Sequence, residues 1–540
     1  MTKRPISHAY QPSHLSQTYP RPFSWCASQT QPRMIVLRAL VAALASTAVL
    51  AGQYVIKYDP EHRDESGPAH ALQKHQPAVT VPQVPVGRIA IIGAGAGGAS
   101  AAYYLQKFTN FTAFNITVYE RNEYVGGRST TVDVHGDARW PVELGASIFV
   151  KENYNLMAAA EDLGLTVQTT ALGRGKPQSV DEEPAPTMGL WDGHEILYTL
   201  TGSMWTTVPK MLWRYGASIV RAKLVTKAAV GKFLRLYKED FPFDLTEFAA
   251  RTGLVNATGE YTRAYMDAHG VGSKFTEEFI QAATRVNYAQ NVGGIHALEG
   301  MVCLMADSGF QIEGGNWQIF EAMLGYARAD VRLSTHVHSV RRTARGWRVS
   351  TSGVLGARAE EYDHVIVAAP LGQTGIGGIG ADVRTPPYMS VHVTLVATDK
   401  PLSRKYFRTS GDVPTVVLTT LPANRRDMPP LFNSISVVRY IAERDEYVYK
   451  IFSLVRLTRR YLELLLEPGA NVTWTHQKVW EAYPSLAVAT EFTPFALEPG
   501  LWYLNGMEQF ISTMETSSLA GANVAALIAD GYNTTAMVVP

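Results

Sequence analysis

The stretch VGRIAIIGAGAGGASAAYYL, Val86 to Leu105, decides the fold. Its IAII run predicts a buried parallel β-strand, because the residues are apolar on both faces. Gly93, Gly95 and Gly98 then match the spacing G-x-G-x-x-G. In this motif the first glycine permits a tight turn, the second lets a pyrophosphate approach the backbone, and the third lets the next helix pack on the sheet. A helix over residues 97–108 would direct its N-terminal amides at the phosphates.

The residues after this helix predict the rest of a nucleotide-binding unit. A second strand, FNITVYE, ends in Glu120, 22 residues beyond Gly98. An acid at that place accepts hydrogen bonds from ribose hydroxyls. The GGRS stretch at 126–129 then puts a second glycine pair before Arg128. This suits a cofactor longer than NAD, with the guanidinium near a phosphate.

Length and composition limit the other function classes. At 540 residues the chain is too long for one compact core, so we expect about two or three domains. The net charge of +1 gives no reason to expect nucleic acid as a partner. The two cysteines, Cys26 and Cys303, belong to no metal-ligand spacing, so we expect neither a metal site nor a disulfide framework.

The N-terminal region has the layout of a targeting segment. In residues 34–51, Arg38 precedes an apolar run and Val49 and Ala51 form a small-x-small site. The run is shorter than the ~20 apolar residues that span a bilayer, which predicts a cleaved signal peptide. An uncleaved membrane anchor and a buried helix are the alternatives. Residues 1–33 are interpreted as an unstructured extension and residues 52–86 as a flexible linker.

Sequons for N-glycosylation agree with a secretory route. We therefore expect the protein in the secretory pathway, either in a lysosome or vacuole or outside the cell. The five sequons begin at Asn110, Asn115, Asn256, Asn471 and Asn533.

The stretch ERNEYVGGRS, which begins at Glu120, resembles the FAD fingerprint of the amine-oxidase-like flavoproteins. VELGAS, residues 142–147, stands where that superfamily brings backbone near the isoalloxazine ring. The resemblance implies FAD as the cofactor. Besides the three glycines of the first motif and Glu120, the residues that it implies in the FAD site are Arg121, Gly127, Arg128, Val337, Glu508, Thr513 and Met514.

A narrower resemblance concerns the substrate. RVNYAQN (285–291), the segment with Gly300 and Met301, and EGGN (313–316) resemble prenylcysteine oxidase, also called prenylcysteine lyase. The similarity covers about residues 87–530. It implies an FAD-dependent thioether oxidase that converts prenyl-L-cysteine, O₂ and water into cysteine, a prenyl aldehyde and H₂O₂. The alternatives are an FAD-dependent amine oxidase, an oxidase of a prenylated secondary metabolite, and a non-catalytic prenyl-binding, escort-like protein.

The expected fold class is α/β, more fully an α+β two-domain flavoprotein. A Rossmann-type FAD-binding domain carries an inserted substrate domain and a helical cap. The segments predicted for the FAD-binding domain are 87–170, 326–375 and 496–540, and those for the substrate domain are 171–325, which includes the cap, and 376–495.

The predicted cap, residues 200–241, has apolar residues at helical spacing with cations among them. We expect it to cover the substrate and to supply apolar contacts for the prenyl chain. A helical segment that faces the core with solvated lysines is an alternative, and a peripheral membrane contact of the basic face is a further one. The candidate polar groups for catalysis are Asn287, Tyr288, His296 and Glu313.

Overall fold

The computed structural model describes residues 87–109, 114–170, 172–176, 186–200, 204–238, 241–305, 309–354, 356–379, 383–424 and 427–536. The predicted extension, signal peptide and linker lie outside these residues, as do Cys26 and Asn110. Cys303 is a buried free thiol.

The strands, in chain order, are β1 (Gly87–Ile92), β2 (Phe114–Tyr119), β3 (Thr131–Asp133), β4 (Pro141–Glu143), β5 (Val167–Thr169), β6 (Met188–Trp191), β7 (Ile196–Leu200), β8 (Phe310–Ile312), β9 (Asp330–Arg332), β10 (Thr335–Thr343), β11 (Gly346–Gly353), β12 (Gly356–Tyr362), β13 (His364–Val367), β14 (Tyr388–Thr398), β15 (Val416–Thr419), β16 (Phe432–Ile441), β17 (Glu446–Ser453), β18 (Val472–Pro484), β19 (Ala496–Glu498) and β20 (Leu501–Tyr503).

The α-helices, in chain order, are α1 (Ala96–Thr109), α2 (Tyr154–Asp162), α3 (Met204–Tyr215), α4 (Ser218–Phe233), α5 (Leu245–Thr252), α6 (Val255–Thr258), α7 (Thr262–Ala268), α8 (Ser273–Phe275), α9 (Gln281–Tyr288), α10 (Ala297–Val302), α11 (Trp317–Tyr326), α12 (Arg404–Phe407), α13 (Arg459–Leu465) and α14 (Met514–Ala536).

A six-stranded sheet in the order β19-β20-β13-β1-β2-β9 forms the nucleotide-binding half. Its pairs are parallel except β19–β20, and β1 lies between β13 and β2. Ile89 and Ile91 on β1 are fully buried, as expected of a strand covered on both faces. α1 and α14 pack so closely that a Cβ on Gly521 would lie 2.5 Å from the Gly97 carbonyl oxygen. The predicted strand–glycine–helix–strand unit is confirmed: β1 begins two residues before the IAII run, α1 extends one residue beyond the expected range at each end, and β2 ends one residue earlier than expected.

A seven-stranded sheet in the order β18-β14-β17-β16-β15-β6-β7 forms the second half. Its pairs are antiparallel except the parallel β6–β15 pair. All seven strands come from residues 188–200 and 388–484, whereas those of the six-stranded sheet come from 87–119, 330–367 and 496–503. The chain therefore passes repeatedly between the two sheets, which brings residues distant in sequence to their common border.

The predicted cap consists of two helices, α3 and α4, joined at Gly216 and Ala217. Each helix buries one apolar face, for example at Met211 on α3 and Ile219 on α4. Among the described residues, no helix is both long and apolar enough to cross a membrane.

The carboxylate of Glu515, in the first turn of α14, joins the cap to the nucleotide-binding half. It accepts hydrogen bonds from the Asn155 and Leu156 amides at 2.8 and 3.0 Å, and so caps the start of α2. The Tyr237 hydroxyl, just after α4, donates to it at 2.7 Å. Burial raises the pKa of Glu515 to about 7. The cap is thus anchored to the helix that begins beside the candidate site.

Candidate functional site

A cavity of about 700 Å³ lies at the carboxyl ends of β1, β2, β13 and β20. Ligands bind at this edge in open α/β sheets, because the loops there diverge and leave a crevice. The residues after each of these strands line the cavity, and β18 of the seven-stranded sheet closes another side. Both halves of the protein therefore contribute to one site.

The three motif glycines differ in what they do for this cavity. Gly93 has φ 111°, and a Cβ there would lie 2.8 Å from the Ala368 oxygen. A Cβ on Gly98 would lie only 1.9 Å from the Gly93 oxygen, so this position serves packing. A Cβ on Gly95 would meet no protein atom closer than 3.8 Å and would occupy the cavity. Only Gly95 keeps space open for a ligand, as a pyrophosphate requires.

The loop after β2 completes the phosphate-binding region. The Gly126 amide donates to the Ala94 oxygen at 2.9 Å, and Gly95 and Gly126 pair as an isolated parallel bridge. Gly127, with φ 60°, also lines the cavity. The N-terminus of α1 points at the same space, so its free amides and positive dipole end are available to an anion.

Glu120 lies at the end of β2 with 5% of its surface exposed and lines the cavity. Its carboxylate accepts from the Ala94 amide at 2.9 Å, and from the amide and side chain of Asn122 at 2.8 and 2.7 Å. A carboxylate has about four acceptor positions, so one is left for a ribose hydroxyl. Arg121 and the buried Val337 line the same part, and Arg121 donates to the Gln373 oxygen at 3.0 Å.

Arg128 and Glu508 form a two-bond ion pair in the cavity wall, at 2.5 and 3.1 Å. Arg128 also donates to the Ala482 oxygen at 2.7 Å, and Tyr388 and Asn505 donate to Glu508 at 2.9 and 2.6 Å. The attraction of Glu508 outweighs desolvation by burial and raises the pKa of Arg128 above its usual value. The Arg128 guanidinium pairs with Glu508 and also lines the cavity, and its contact with a phosphate stays a prediction.

The start of α14 forms a further part of the wall. The Thr513 hydroxyl accepts from the Thr516 amide at 3.0 Å and so caps this helix. Thr513 and Met514 both line the cavity, as predicted. Glu508 is 1% exposed and lies in the turn just before them.

None of the four candidate catalytic residues lines the cavity. His296 is fully buried; its Nδ1 accepts from the Glu299 amide at 3.2 Å and caps α10, and its Nε2 lies 3.2 Å from the Gln509 oxygen. Burial lowers the pKa of His296 to about 4, so the ring is neutral. Its interpretation as a catalytic group is wrong, because packing fixes both ring nitrogens.

The other three candidates also lie outside the cavity lining. Glu313 is exposed in the turn after β8. Asn287 donates to the Ala283 oxygen at 3.0 Å within α9. Tyr288 is buried and donates to the Ser512 oxygen at 3.1 Å, one residue from the start of the capped turn of α14. Tyr288 therefore reaches the cavity through Ser512 and through the Tyr483 ring, whose centroid lies 5.3 Å from that of Tyr288, and both Ser512 and Tyr483 line the cavity.

Sequence reasoning missed a buried carboxyl group beside this turn. Glu299 on α10 is fully buried and accepts from the Ser512 amide at 3.0 Å, so Glu299 and Tyr288 together hold both backbone groups of Ser512. Burial raises the pKa of Glu299 to about 8, which keeps it protonated at neutral pH. No motif marks Glu299, because its role depends on a contact with a residue 213 positions away.

The apolar wall of the cavity comes from the seven-stranded sheet. No described residue of 200–241 lines the cavity, so the apolar contacts expected from the cap are not found among the described residues at this site. The buried apolar side chains of the cap, such as Met211 and Ile219, pack into the protein core instead. The apolar wall consists of Val391 on β14, Phe452 on β17, and Val479, Trp480, Ala482 and Tyr483 on β18.

The residues present fit FAD. Gly95 leaves the space that a diphosphate needs, Glu120 has a free acceptor for a ribose, and two helix N-termini face the cavity. Gly145 and Ala146, from the VELGAS stretch, also line it. A Cβ on Gly145 would lie 2.6 Å from the Trp480 ring, so only backbone occupies this place beside the apolar wall.

Comparisons with known proteins agree with this geometry. A family model described as prenylcysteine lyase matches residues 199–539, and one described as NAD(P)-binding Rossmann-like domain matches residues 91–163. Farnesylcysteine lyase of Arabidopsis thaliana is 30% identical over 470 residues, covering 83% of this chain and 89% of that protein. Prenylcysteine oxidase 1 of Homo sapiens is 28% identical over 492 residues, covering 84% and 90%.

Solved structures with a similar fold are oxidases. Cyclohexylamine oxidase from Brevibacterium oxydans IH-35A is 15% identical with a TM-score of 0.57, covering 83% of this chain and all of that chain. Putrescine oxidase bound to putrescine is 14% identical with a TM-score of 0.54, covering 82% and 98%. At these identities the likeness shows the fold, and it confirms the predicted α/β class with a Rossmann-type domain.

Proposed function

The chain belongs to the prenylcysteine lyase family, and we propose that it is an FAD-dependent oxidase that cleaves the thioether bond of prenyl-L-cysteine. The observation that carries this proposal is the cavity itself, where a dinucleotide site formed by Gly95 and Glu120 adjoins the apolar wall of β14, β17 and β18. Membership of this family favours a thioether substrate over an amine or a prenylated secondary metabolite. An escort-like binding protein would have no use for a complete dinucleotide site.

The overall reaction balances with O₂ and water as co-substrates. Prenylcysteine, O₂ and water give cysteine, the prenyl aldehyde and H₂O₂. When bound, FAD supplies a two-electron oxidation at the carbon next to sulfur and passes the electrons to O₂. Water then adds to that carbon, and the resulting hemithioacetal releases the cysteine thiol and the aldehyde.

The residues of this chain bind and orient the cofactor and the substrate, and they exclude water. Gly95, the Gly126–Gly127 turn and the N-terminus of α1 line the cavity where they would hold the diphosphate, and Glu120 would hold the ribose. The apolar wall removes water from around the prenyl chain, and each buried CH₂ contributes roughly 0.8 kcal/mol to binding. The Arg128–Glu508 pair fixes the turn before α14, and Glu299 and Tyr288 fix Ser512. These contacts hold the turn before α14, which is part of the cavity wall, in one arrangement while substrate enters the cavity.

The proposal is tested by product analysis. The purified protein, supplied with farnesylcysteine in air, should form farnesal, free cysteine and H₂O₂ in equal amounts. H₂O₂ formed with a simple amine, and not with farnesylcysteine, would favour the amine oxidase alternative. A colourless, correctly folded protein that binds farnesylcysteine without turnover would favour the escort-like alternative.

We also propose that the protein enters the secretory pathway and works in a lysosome or vacuole or outside the cell. Asn115, Asn256 and Asn471 are exposed, which supports the proposal, whereas the side chain of Asn533 is outside the described residues. Expression in a eukaryotic host should give a protein that begins after Ala51 and loses mass when N-glycans are removed. A secreted protein that retains residues 34–51 would contradict the cleavage.

A further inference from the structure

The outer face of α3 and α4 carries an unusual combination of side chains. Val208, Met211 and Tyr215 face the core from α3, so the opposite side of that helix is exposed, and α4 is arranged likewise. We name the exposed set the outer cap face. It consists of Lys210, Leu212, Trp213, Arg221, Leu224, Lys227 and Lys232.

The apolar members of this face are strongly exposed. Trp213 is 90% exposed and Leu224 is 63% exposed, and Leu212 is 36% exposed. A single exposed leucine needs no explanation, because much of any protein surface is apolar. A nearly fully exposed tryptophan together with two leucines on adjoining helices does need one, since burial would stabilise all three.

The charge of this segment has one sign. Residues 200–238 contain eight lysines and arginines and no aspartate or glutamate. Arg214 is neutralised by Glu278 of the neighbouring π-helical turn at 2.8 Å, and Arg221 donates to the Gly270 oxygen at 2.7 Å. For Lys210, Lys227 and Lys232, the described part of the chain provides no carboxylate within ion-pair distance. The outer cap face therefore presents unpaired positive charge around its apolar side chains.

This pattern fits one kind of partner. Helices that lie in a membrane interface combine lysine or arginine with exposed tryptophan and leucine, because the cations meet lipid phosphates while the apolar groups enter the boundary of the acyl chains. The outer cap face has both components, and it is free of the cavity, to which the cap contributes no described residue.

We propose that the outer cap face docks the protein on the surface of a bilayer that contains anionic phospholipid. Trp213, Leu212 and Leu224 enter the headgroup layer, and Lys210, Lys227 and Lys232 lie over the phosphates. The proposal deepens the proposed function. It rests on that function only for the benefit of docking, which would bring the enzyme to its substrate, since prenylcysteines are amphiphiles that partition into membranes. The contacts themselves need neither FAD nor substrate.

Vesicle co-sedimentation of the full chain tests this docking. The protein should bind vesicles of phosphatidylcholine mixed with phosphatidylserine, bind pure phosphatidylcholine weakly, and dissociate as salt is raised. Lys227→Glu with Lys232→Glu should lower the partition coefficient at least about fivefold for each cation lost. Trp213→Ala should lower binding to the mixed vesicles severalfold. The matched control is Arg345→Glu with Arg358→Glu, two exposed arginines of which the first lies in the turn between β10 and β11 and the second on β12, and it should leave binding within about twofold.

Three results would overturn the proposal. They are no binding of the unaltered protein to mixed vesicles, an equal loss in the control variant, and a dimer that Trp213→Ala converts to monomer, since the face would then join two copies of this chain. Because the assay contains no prenylcysteine, its failure leaves the proposed catalytic activity untouched. Retained bound flavin and an unchanged melting temperature show that each variant is folded.

Discussion

Arg128 and Glu508, 380 residues apart in the chain, meet in the cavity wall through two hydrogen bonds of 2.5 and 3.1 Å. Arg128 follows the glycine pair after β2, whereas Glu508 precedes α14. The pair therefore ties the first and the last segments of the nucleotide-binding half together. The Glu508 side chain is only 2% exposed, whereas 35% of the Arg128 side chain is exposed, and Arg128 lines the cavity.

Glu508→Gln should destabilise the protein by about 2–4 kcal/mol, because it leaves the Arg128 charge without its counter-ion in the cavity wall. It should also reduce the flavin retained after purification. Denaturant unfolding gives the free energy, and visible absorbance gives the flavin content. The control is Glu498→Gln, which removes an exposed pair with Arg342 at 3.4 Å and should cost less than about 1 kcal/mol. Equal losses in the two variants would contradict the assigned role of Glu508.

Gly95→Val and Gly98→Ala should fail in different ways. The Cβ of valine at 95 would enter the cavity and lie 3.8 Å from the Gly126 oxygen, an ordinary contact distance, so the variant should fold and lose flavin affinity by at least about tenfold. Alanine at 98 collides with the Gly93 oxygen, so that variant should be unfolded or poorly expressed. Circular dichroism and flavin absorbance separate the two outcomes. If the Gly95→Val variant retained its flavin, the cofactor would have to bind at another place in the protein.

Glu299 should make the protein less stable as pH rises. Its pKa is about 8 in the folded protein and near 4.5 when unfolded, so the folded state holds a proton that the unfolded state releases between these values. The stability from this group is complete below pH 4.5 and is lost as pH rises through 8. From pH 6.5 to 8 the loss is roughly 2 kcal/mol, at about 1.4 kcal/mol per pH unit.

Glu299→Gln mimics the protonated acid and should remove this component of the pH dependence. His296 has the opposite effect on stability. Its pKa is about 4 in the folded protein and near 6.5 when unfolded, so it stabilises the protein as pH rises between these values and does not disturb the comparison between pH 6.5 and 8. Unfolding free energies of both proteins at pH 6.5 and 8 give the comparison. The same slope in Glu299→Gln would show that Glu299 is ionised in the folded protein.

Phe452→Ala should lower kcat/KM for long prenyl substrates more than for short ones. Its ring is part of the apolar wall, and losing it should lower kcat/KM for farnesylcysteine by about tenfold. A short S-alkyl cysteine should be affected much less, and Phe452→Leu should be intermediate. Leu224→Ala on the cap is the control and should leave kcat/KM for dissolved substrate unchanged, since Leu224 is outside the cavity. A larger loss of kcat/KM in Leu224→Ala than in Phe452→Ala would indicate that the cap forms the prenyl site.

The nucleotide-binding half could be predicted because its signals are local. The spacing of Gly93, Gly95 and Gly98, the apolar run before them and the acid at 120 all lie within 35 residues. Each of these residues acts on its neighbours in sequence or on the cofactor. Only the partner of Arg128 escaped prediction, because Glu508 lies at the other end of the chain.

The substrate side could not be predicted in the same way. His296 stands in a distinctive stretch, but its burial and its contact with the Gln509 oxygen depend on tertiary packing. The amphipathic pattern of the cap shows that one face is buried, but not what it is buried against. The apolar wall comes from one position on β14, one on β17 and two consecutive pairs on β18, and no pattern in the sequence distinguishes these strands from any half-buried sheet.

The most direct test of the account is an anaerobic titration of the yellow protein with farnesylcysteine. If FAD lies in this cavity beside the apolar wall, the visible flavin absorbance should bleach in proportion to the substrate added and return when air is admitted. A flavin spectrum that stays unchanged with farnesylcysteine, in a protein that a simple amine does bleach, would contradict the account.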